Sequence, residues 1–209
     1  PKNRHDDLFT LTSRSPSELA LSLRQHQLDG AFLSPIDYAK DYAMYRIVPE
    51  VAAVSRGESH AVLLLFKEAA RRIATLAVDP RSSTEIVLAN VILAEKYDVR
   101  PRIIPVAGTI DEALRTADAV LVVGDAAREI DAKAIDLVDE WDDTTGLPFV
   151  HGFWVSREDA FTPVELRAIV GSHQPPPAVN ALQPFDYLLD EEAAAAIGEF
   201  FRMAYFHGI

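Results

Sequence analysis

Short apolar segments rich in β-branched residues recur along the chain, and longer segments with helical spacing of apolar positions separate them. The short segments predict strands at residues 31–33, 51–54, 61–66, 73–78, 102–106, 119–123 and 149–155. Strands that alternate with helices are typical of α/β proteins with largely parallel sheets, in which ligands bind at the strand ends. The pattern therefore predicts the α/β class.

Four segments carry the Ser/Thr-x-x-Glu pattern of a helix start, at residues 15–18, 82–85, 109–112 and 162–165. In this pattern the hydroxyl caps one free amide and the glutamate returns to another. Two of the segments also have proline at the first helical position, where no amide hydrogen is needed. Each segment predicts a helix that begins there.

The order of the elements predicts two lobes. Between residues 73 and 138 the order is strand, helix, strand, helix, strand, which is that of a small α/β lobe. We therefore expect one lobe from residues 67–149. The flanking residues, 1–66 and 150–209, are expected to form the other lobe from two separated segments.

The charge of the chain limits its partners. The formal net charge is −12 and no run of lysine or arginine is present, so neither nucleic acid nor anionic lipid is an expected partner. The longest apolar run, residues 61–66, is far shorter than the roughly 20 residues that span a bilayer. The first residues show no apolar core of a signal peptide, and we expect a cytoplasmic protein.

Several kinds of chemistry lack their motif. The chain has no cysteine, and its six histidines show no metal-ligand spacing, so neither a metal nor a redox cofactor is expected. No nucleophile elbow, Walker loop or dinucleotide-binding glycine pattern is present, which leaves hydrolase, nucleotide-triphosphatase and Rossmann interpretations without support.

The strongest candidate site is the segment from Val78 to Thr84, where a strand is followed by a short polar loop and a helix start. Free amides and the helix dipole at such a place favour a carboxylate or phosphate, and Arg81 could add a bidentate contact. The alternative is that Ser82 only caps the helix.

Other candidates have equally ordinary alternatives. Gly124 and Asp125 follow a strand and either accept a ligand hydroxyl or form a turn. Ser34 either caps a helix or contacts a ligand. His60 and His151 are more simply interpreted as buried structural histidines. Trp141, Trp154 and Phe149 are expected to be packing residues.

Four stretches resemble one family. Residues 29–39 read DGAFLSPIDYA, residues 57–64 GESHAVLL, residues 121–127 LVVGDAA and residues 136–150 DLVDEWDDTTGLPFV. They are similar to the MqnA family, the chorismate dehydratases of the futalosine route to menaquinone. The last stretch closely resembles the family pattern D-L-G-x-x-W-x-x-x-T-G-L-P-F-V. Similarity runs with interruptions from about residue 8 to 157.

The resemblance implies a two-lobed clamp like the type 2 periplasmic binding proteins, located in the cytoplasm. It implies conversion of chorismate to 3-[(1-carboxyvinyl)oxy]benzoate and water without a cofactor. Its small-molecule partner would be a chorismate-like carboxylate, and a homodimer is left open. The implied substrate contacts are Ser34, Ser59, His60, Ser82, Ser83, Thr84, Gly124, Asp125, Pro148 and Phe149.

The sequence departs from the family in two places. The family's first strand and Asn-containing loop have no counterpart here, and Ala61 stands where the family commonly has a pocket serine. Ser59 or His60 is the candidate replacement, and no catalytic base is assigned. Two alternatives therefore stay open: a carboxylate-binding protein without catalysis, and the sister enzyme that makes 1,4-dihydroxy-6-naphthoate.

Overall fold

The computed structural model describes residues 8–14, 16–68, 70, 72–172 and 185–209. These residues contain eight strands, and seven of them overlap the predicted ones. β7 was not predicted, because it holds a single β-branched residue, between an alanine and an aspartate, and so shows no apolar run. The strands are β1 (Gly30–Leu33), β2 (Tyr45–Ser55), β3 (Val62–Phe66), β4 (Thr75–Val78), β5 (Arg102–Pro105), β6 (Ala119–Val123), β7 (Ala134–Asp136) and β8 (Phe149–Arg157).

The predicted helix starts are confirmed, apart from Ser15, which lies outside the described residues. The helices are α1 (Pro16–Arg24), α2 (Pro35–Ala39), α3 (Ser83–Tyr97), α4 (Ile110–Thr116), α5 (Asp125–Arg128), α6 (Leu137–Thr145), α7 (Pro163–Ser172) and α8 (Glu191–Phe206). Within the described ranges, no helix has both the length and the apolar character needed to traverse a bilayer.

The strands form two sheets, with the orders β1-β8-β2 and β5-β4-β6-β3-β7. β4 is parallel to β5 and β6, whereas β3 is antiparallel to β6 and β7, and β1 is antiparallel to β8. The prediction of largely parallel sheets is therefore wrong. The first four residues of β3 and of β6 are all buried. An apolar run of this kind reveals that a strand is central but not its direction.

The chain divides into two compact units, Pro1–Val54 with Val150–Glu191 and Ser55–Phe149 with Glu192–Ile209. We call them the first and the second unit. This division differs from the predicted lobes in two places. β3, predicted in the lobe of residues 1–66, lies in the sheet of the second unit because it pairs with β6 and β7. α8 also belongs to the second unit rather than to the lobe of residues 150–209.

Aromatic packing explains the place of α8. Trp141 is fully buried, and its ring centroid lies 6.1 Å from that of Phe149 and 5.9 Å from that of Phe200 on α8. The Trp141 Nε1 donates to the Pro148 carbonyl over 3.0 Å. Edge-to-face rings of this kind contribute about 0.5–1.5 kcal/mol per pair beyond their buried area. The predicted packing role of Trp141 and Phe149 is confirmed.

Candidate functional site

A cavity of about 420 Å³ lies in the second unit at the carboxyl ends of three neighbouring strands. β4, β5 and β6 are parallel there, so the segments that follow them meet at one edge of the sheet. In α/β proteins this edge is the usual place for a ligand. The cavity is lined by residues 78–82, 106–110, 113, 120–123 and 126.

The cavity wall is apolar in its buried part and polar in its exposed part. Val78, Val120 and Val122 are buried and apolar, whereas Arg81 and Thr109 are exposed and polar. A wall of this kind suits a ligand with an apolar body and a polar or charged group at one end.

Arg81 and Asp79 form an ion pair on the polar side of the cavity. The Arg81 Nε lies 3.0 Å from both carboxylate oxygens of Asp79, and the Arg81 amide donates to the same carboxylate over 2.9 Å. The hydrogen bond from the Arg81 side chain is the main reason why the pKa of Asp79 lies below its usual value. Arg81 keeps 70% of its side-chain surface exposed, so its guanidinium remains accessible to an anion.

Ser82 precedes α3, at the helix start that the sequence predicted, and it lines the cavity. Its side chain makes no capping hydrogen bond, although its carbonyl accepts from the Ile86 amide over 2.9 Å. Ser83 and Thr84 do not line the cavity, and Thr84 is fully buried. Of the three hydroxyl residues predicted to contact a substrate, Ser82 is the one that lies on the cavity wall.

Thr109 precedes α4 on the cavity wall, and its capping box is complete. The Thr109 Oγ1 accepts from the Glu112 amide over 3.3 Å, and the Glu112 carboxylate accepts from the Thr109 amide over 2.9 Å. Sequence reasoning identified this helix start but did not place it at the site. Its place in the sequence could have predicted this, because Thr109 follows the predicted strand β5 as Ser82 follows β4.

Gly124 follows β6 and precedes α5 with a φ of +77°, a conformation that glycine adopts without strain. Its amide donates to the Ala61 carbonyl over 2.8 Å. Ala61 is therefore joined to the segment in which Val123 and Ala126 line the cavity, although Ala61 itself is not among the lining residues. The Asp125 side chain is 99% exposed, lies 3.8 Å from Arg128 and does not line the cavity.

Ser59 and His60 lie in the turn before β3. Ser59 is fully buried, and its Oγ contacts the buried Asp136 carboxylate and accepts from the Ala61 amide over 3.1 Å. The His60 imidazole is 50% exposed, so the expectation of a buried structural histidine is wrong for it. Neither residue lines the cavity. His151 is half-buried, and its ring lies 4.9 Å from that of Phe185.

Three further predicted contacts serve the packing or capping of their own unit. Pro148 and Phe149 are buried in the aromatic cluster of the second unit. In the first unit, the Ser34 Oγ accepts from the Asp37 amide over 3.3 Å and lies 3.0 Å from the Asp37 carboxylate. Ser34 is thus the N-cap of α2. Among the described residues, no group of histidine or acidic side chains is placed to hold a metal ion.

A family model described as "Menaquinone biosynthesis" matches residues 4–172. A chorismate dehydratase of Thermus thermophilus is 25% identical over 171 residues, which are 72% of this chain and 62% of that protein. The chain therefore spans less than two thirds of the length of this relative.

Solved structures show the fold. Protein AF1704 of Archaeoglobus fulgidus has a TM-score of 0.64 at 18% identity, with 95% of this chain and 86% of that chain covered. An ABC transporter protein of Parabacteroides distasonis has a TM-score of 0.55 at 19% identity, with 93% and 80% covered. The aliphatic sulphonate binding protein SsuA of Escherichia coli has a TM-score of 0.50 at 14% identity, with 76% and 57% covered. The predicted periplasmic-binding-protein-like α/β fold is confirmed.

Proposed function

Because the chain belongs to the menaquinone biosynthesis family, we propose that the protein is a cytoplasmic hydro-lyase of the chorismate dehydratase type. In the proposed reaction chorismate loses water and becomes 3-[(1-carboxyvinyl)oxy]benzoate. The observation that carries this proposal is the cavity at the carboxyl ends of β4, β5 and β6. The similarity to a curated chorismate dehydratase supports it.

The cavity suits the chemistry of this substrate. Chorismate has a hydrocarbon ring and two carboxylates, and the cavity offers buried valines beside an exposed guanidinium. The start of α3, a helix of 15 residues, adds a dipole that favours negative charge near Ser82. We therefore propose that the ring contacts the apolar wall and that one carboxylate lies near Arg81 and Ser82.

The reaction breaks a ring C–H bond and a C–O bond, and the proton and hydroxide leave together as water while the ring becomes aromatic. No electrons leave the substrate, so the step requires positioning and a proton acceptor. Asp79 and Arg81 are the ionisable side chains on the described wall of the cavity. Arg81 lowers the pKa of Asp79 and makes it a weak base. We propose that this cavity positions the substrate rather than accepting its proton.

Ala61 bears on the rate. Its carbonyl accepts from the Gly124 amide, and the family commonly has a serine at this position, although Ala61 itself is buried and does not line the cavity. Loss of one hydrogen bond made in the transition state lowers a rate by roughly 10²–10³-fold. We propose that a hydroxyl at this position reaches the substrate in the family, and that this protein, with alanine there, is a slow lyase.

A carboxylate-binding protein without catalysis is the second candidate. The observation that favours it is the ion pair itself, because the charged groups on the described cavity wall neutralise each other and leave no free base there. Such a protein would bind chorismate and return it unchanged.

Incubation of the full-length protein with chorismate separates the two candidates. The lyase yields the aromatic enol ether, detected by its ultraviolet spectrum and its mass. Ala61→Ser is expected to raise the rate, and Ala119→Ser is its control, because it adds the same hydroxyl at a buried position that begins β6. Binding of chorismate without product, in both the natural protein and Ala61→Ser, would exclude the lyase and leave the binding protein.

A further inference from the structure

The Asp136 carboxylate joins two parts of the second unit. It is 8% exposed and precedes α6, where its Oδ1 accepts from the Val138 amide over 2.9 Å and from the Asp139 amide over 3.4 Å. Its Oδ2 accepts from the Ser59 amide over 2.8 Å and from the His60 amide over 2.6 Å. Four backbone donors therefore converge on one buried carboxylate. An ionised carboxylate accepts on both oxygens, and an amide side chain accepts on one.

The turn that Asp136 holds leads to the cavity. His60 has a φ of +53°, which a residue other than glycine adopts only when its surroundings fix it. The next residue, Ala61, donates its amide to the Ser59 Oγ and accepts from the Gly124 amide. Gly124 lies between β6 and α5, and both Val123, the last residue of β6, and Ala126, in the first turn of α5, line the cavity.

We propose that Asp136 is a positioning residue of the cavity, which it reaches through the turn of residues 59–61 and the hydrogen bond from Gly124 to Ala61. Its charge fixes the two amides of the turn, the turn fixes the Ala61 carbonyl, and that carbonyl fixes the end of β6. The expected effect of Asp136 on ligand binding rests on the proposed function. Its expected effect on the Gly124 amide is independent of that function.

Asp118 provides a matched control. Its carboxylate accepts from the Ala74 amide, the Thr75 amide and the Thr75 Oγ1, each over 2.9 Å. It precedes β6 and contacts the residues that begin β4, so it lies at the end of these strands opposite the cavity. Asp118→Asn therefore disturbs a similar set of hydrogen bonds in the same unit without disturbing the cavity.

The test compares Asp136→Asn with Asp118→Asn in the full-length protein. Amide hydrogen exchange of Gly124 is measured by NMR relative to the amides of β6, and chorismate affinity is measured by calorimetry. A hydrogen bond to a charged group contributes enough that its loss changes an equilibrium by about tenfold or more. We expect Asp136→Asn to accelerate Gly124 exchange by about tenfold beyond its β6 neighbours and to weaken chorismate binding by a similar factor. Asp118→Asn should shift all β6 amides alike and leave the affinity unchanged.

Equal behaviour of the two variants at Gly124 overturns the proposal, because it reduces Asp136 to a contributor to stability. Should Asp136→Asn fail to fold, Ser59→Ala decides the matter, since it removes the Oγ that contacts both Asp136 and the Ala61 amide. It should accelerate Gly124 exchange selectively, and an unchanged Gly124 overturns the proposal. If the natural protein does not bind chorismate, the proposed function fails, and Gly124 exchange still decides the role of Asp136.

Discussion

Two helix starts on the cavity wall carry the same sequence pattern and are built differently. α3 and α4 both follow a parallel strand, and both begin with Ser/Thr-x-x-Glu. At α4 the capping box is complete, because the side chains of Thr109 and Glu112 each accept from the other residue's amide. At α3 the Ser82 side chain makes no capping bond, and the ion pair of Asp79 and Arg81 stands beside it.

The difference indicates a division of roles. A closed capping box uses its hydroxyl and its carboxylate within the helix, so α4 has little left to offer a ligand at its first residue. The hydroxyl of Ser82 is not used in this way, and α3 is 15 residues long compared with 7 for α4. We therefore expect α3 to recognise the ligand and α4 to stabilise the wall.

The largest effect is expected from reversing the charge at the start of α3. Arg81→Glu removes an accessible guanidinium and adds a carboxylate that repels an anionic ligand, so chorismate affinity should fall by about 100-fold. Isothermal titration of the full-length protein measures this. Arg115→Glu is the control, because it makes the same charge change in the last turn of α4, at a residue that does not line the cavity. An equal loss in both variants would mean that net charge, rather than the start of α3, governs binding.

A smaller effect, on stability, is expected from a substitution at the start of α4. Thr109→Ala opens the capping box and should lower the free energy of unfolding by about 1 kcal/mol. Ser82→Ala removes a hydroxyl that caps nothing and should change it by less than about 0.5 kcal/mol. Urea unfolding of both variants checks the contrast. A cost for Ser82→Ala as large as that for Thr109→Ala would contradict the division between the two helices.

The sequence predicted where these helices begin but not which of them is capped. Ser/Thr-x-x-Glu identifies a start because local hydrogen bonds favour it. Whether the box closes depends on the approaching loop, and here the Ser82 amide donates to the Asp79 carbonyl in a turn that the pattern does not encode. The same limit applied to β3, whose apolar run predicted the strand correctly, whereas the expectation of largely parallel pairing was wrong for it.

Candidate residues in the loop that follows the parallel strand β4 lie on the cavity wall, whereas candidates held by long-range packing lie away from it. Ser82 lies on the cavity wall, as its position after β4 indicated. Ser59 and Phe149 are instead buried by partners far away in the sequence, Asp136 and Phe200. The contact between Asp136 and the turn before β3 spans 77 residues, and no local pattern announces it.

The smallest expected effect is the pH dependence of the closed box. The pKa of Glu112 lies below its usual value, first because its carboxylate accepts from the Thr109 amide and second because it interacts with the Thr109 side chain. A carboxyl group whose pKa is lowered by folding stabilises the fold above its unfolded pKa of about 4.3. That contribution is lost as the pH falls through the lower folded value. Glu112→Gln keeps an acceptor at the same place but removes the titration.

The difference in unfolding free energy between the natural protein and Glu112→Gln should therefore be largest near neutral pH and should shrink on acidification through the carboxyl range. Urea midpoints at a series of pH values measure it, and subtraction of the two proteins removes the titration of all other groups. Glu165→Gln on α7 is a positive control, because Thr162 and Glu165 form the same hydrogen bonds and the pKa of Glu165 is lowered for the same reason. A difference that stays constant with pH at Glu112 but shrinks at Glu165 would mean that the α4 box does not use the charge of its glutamate. The capping box of α4 would then differ from the uncapped start of α3 in its hydrogen bonds but not in a stabilising charge.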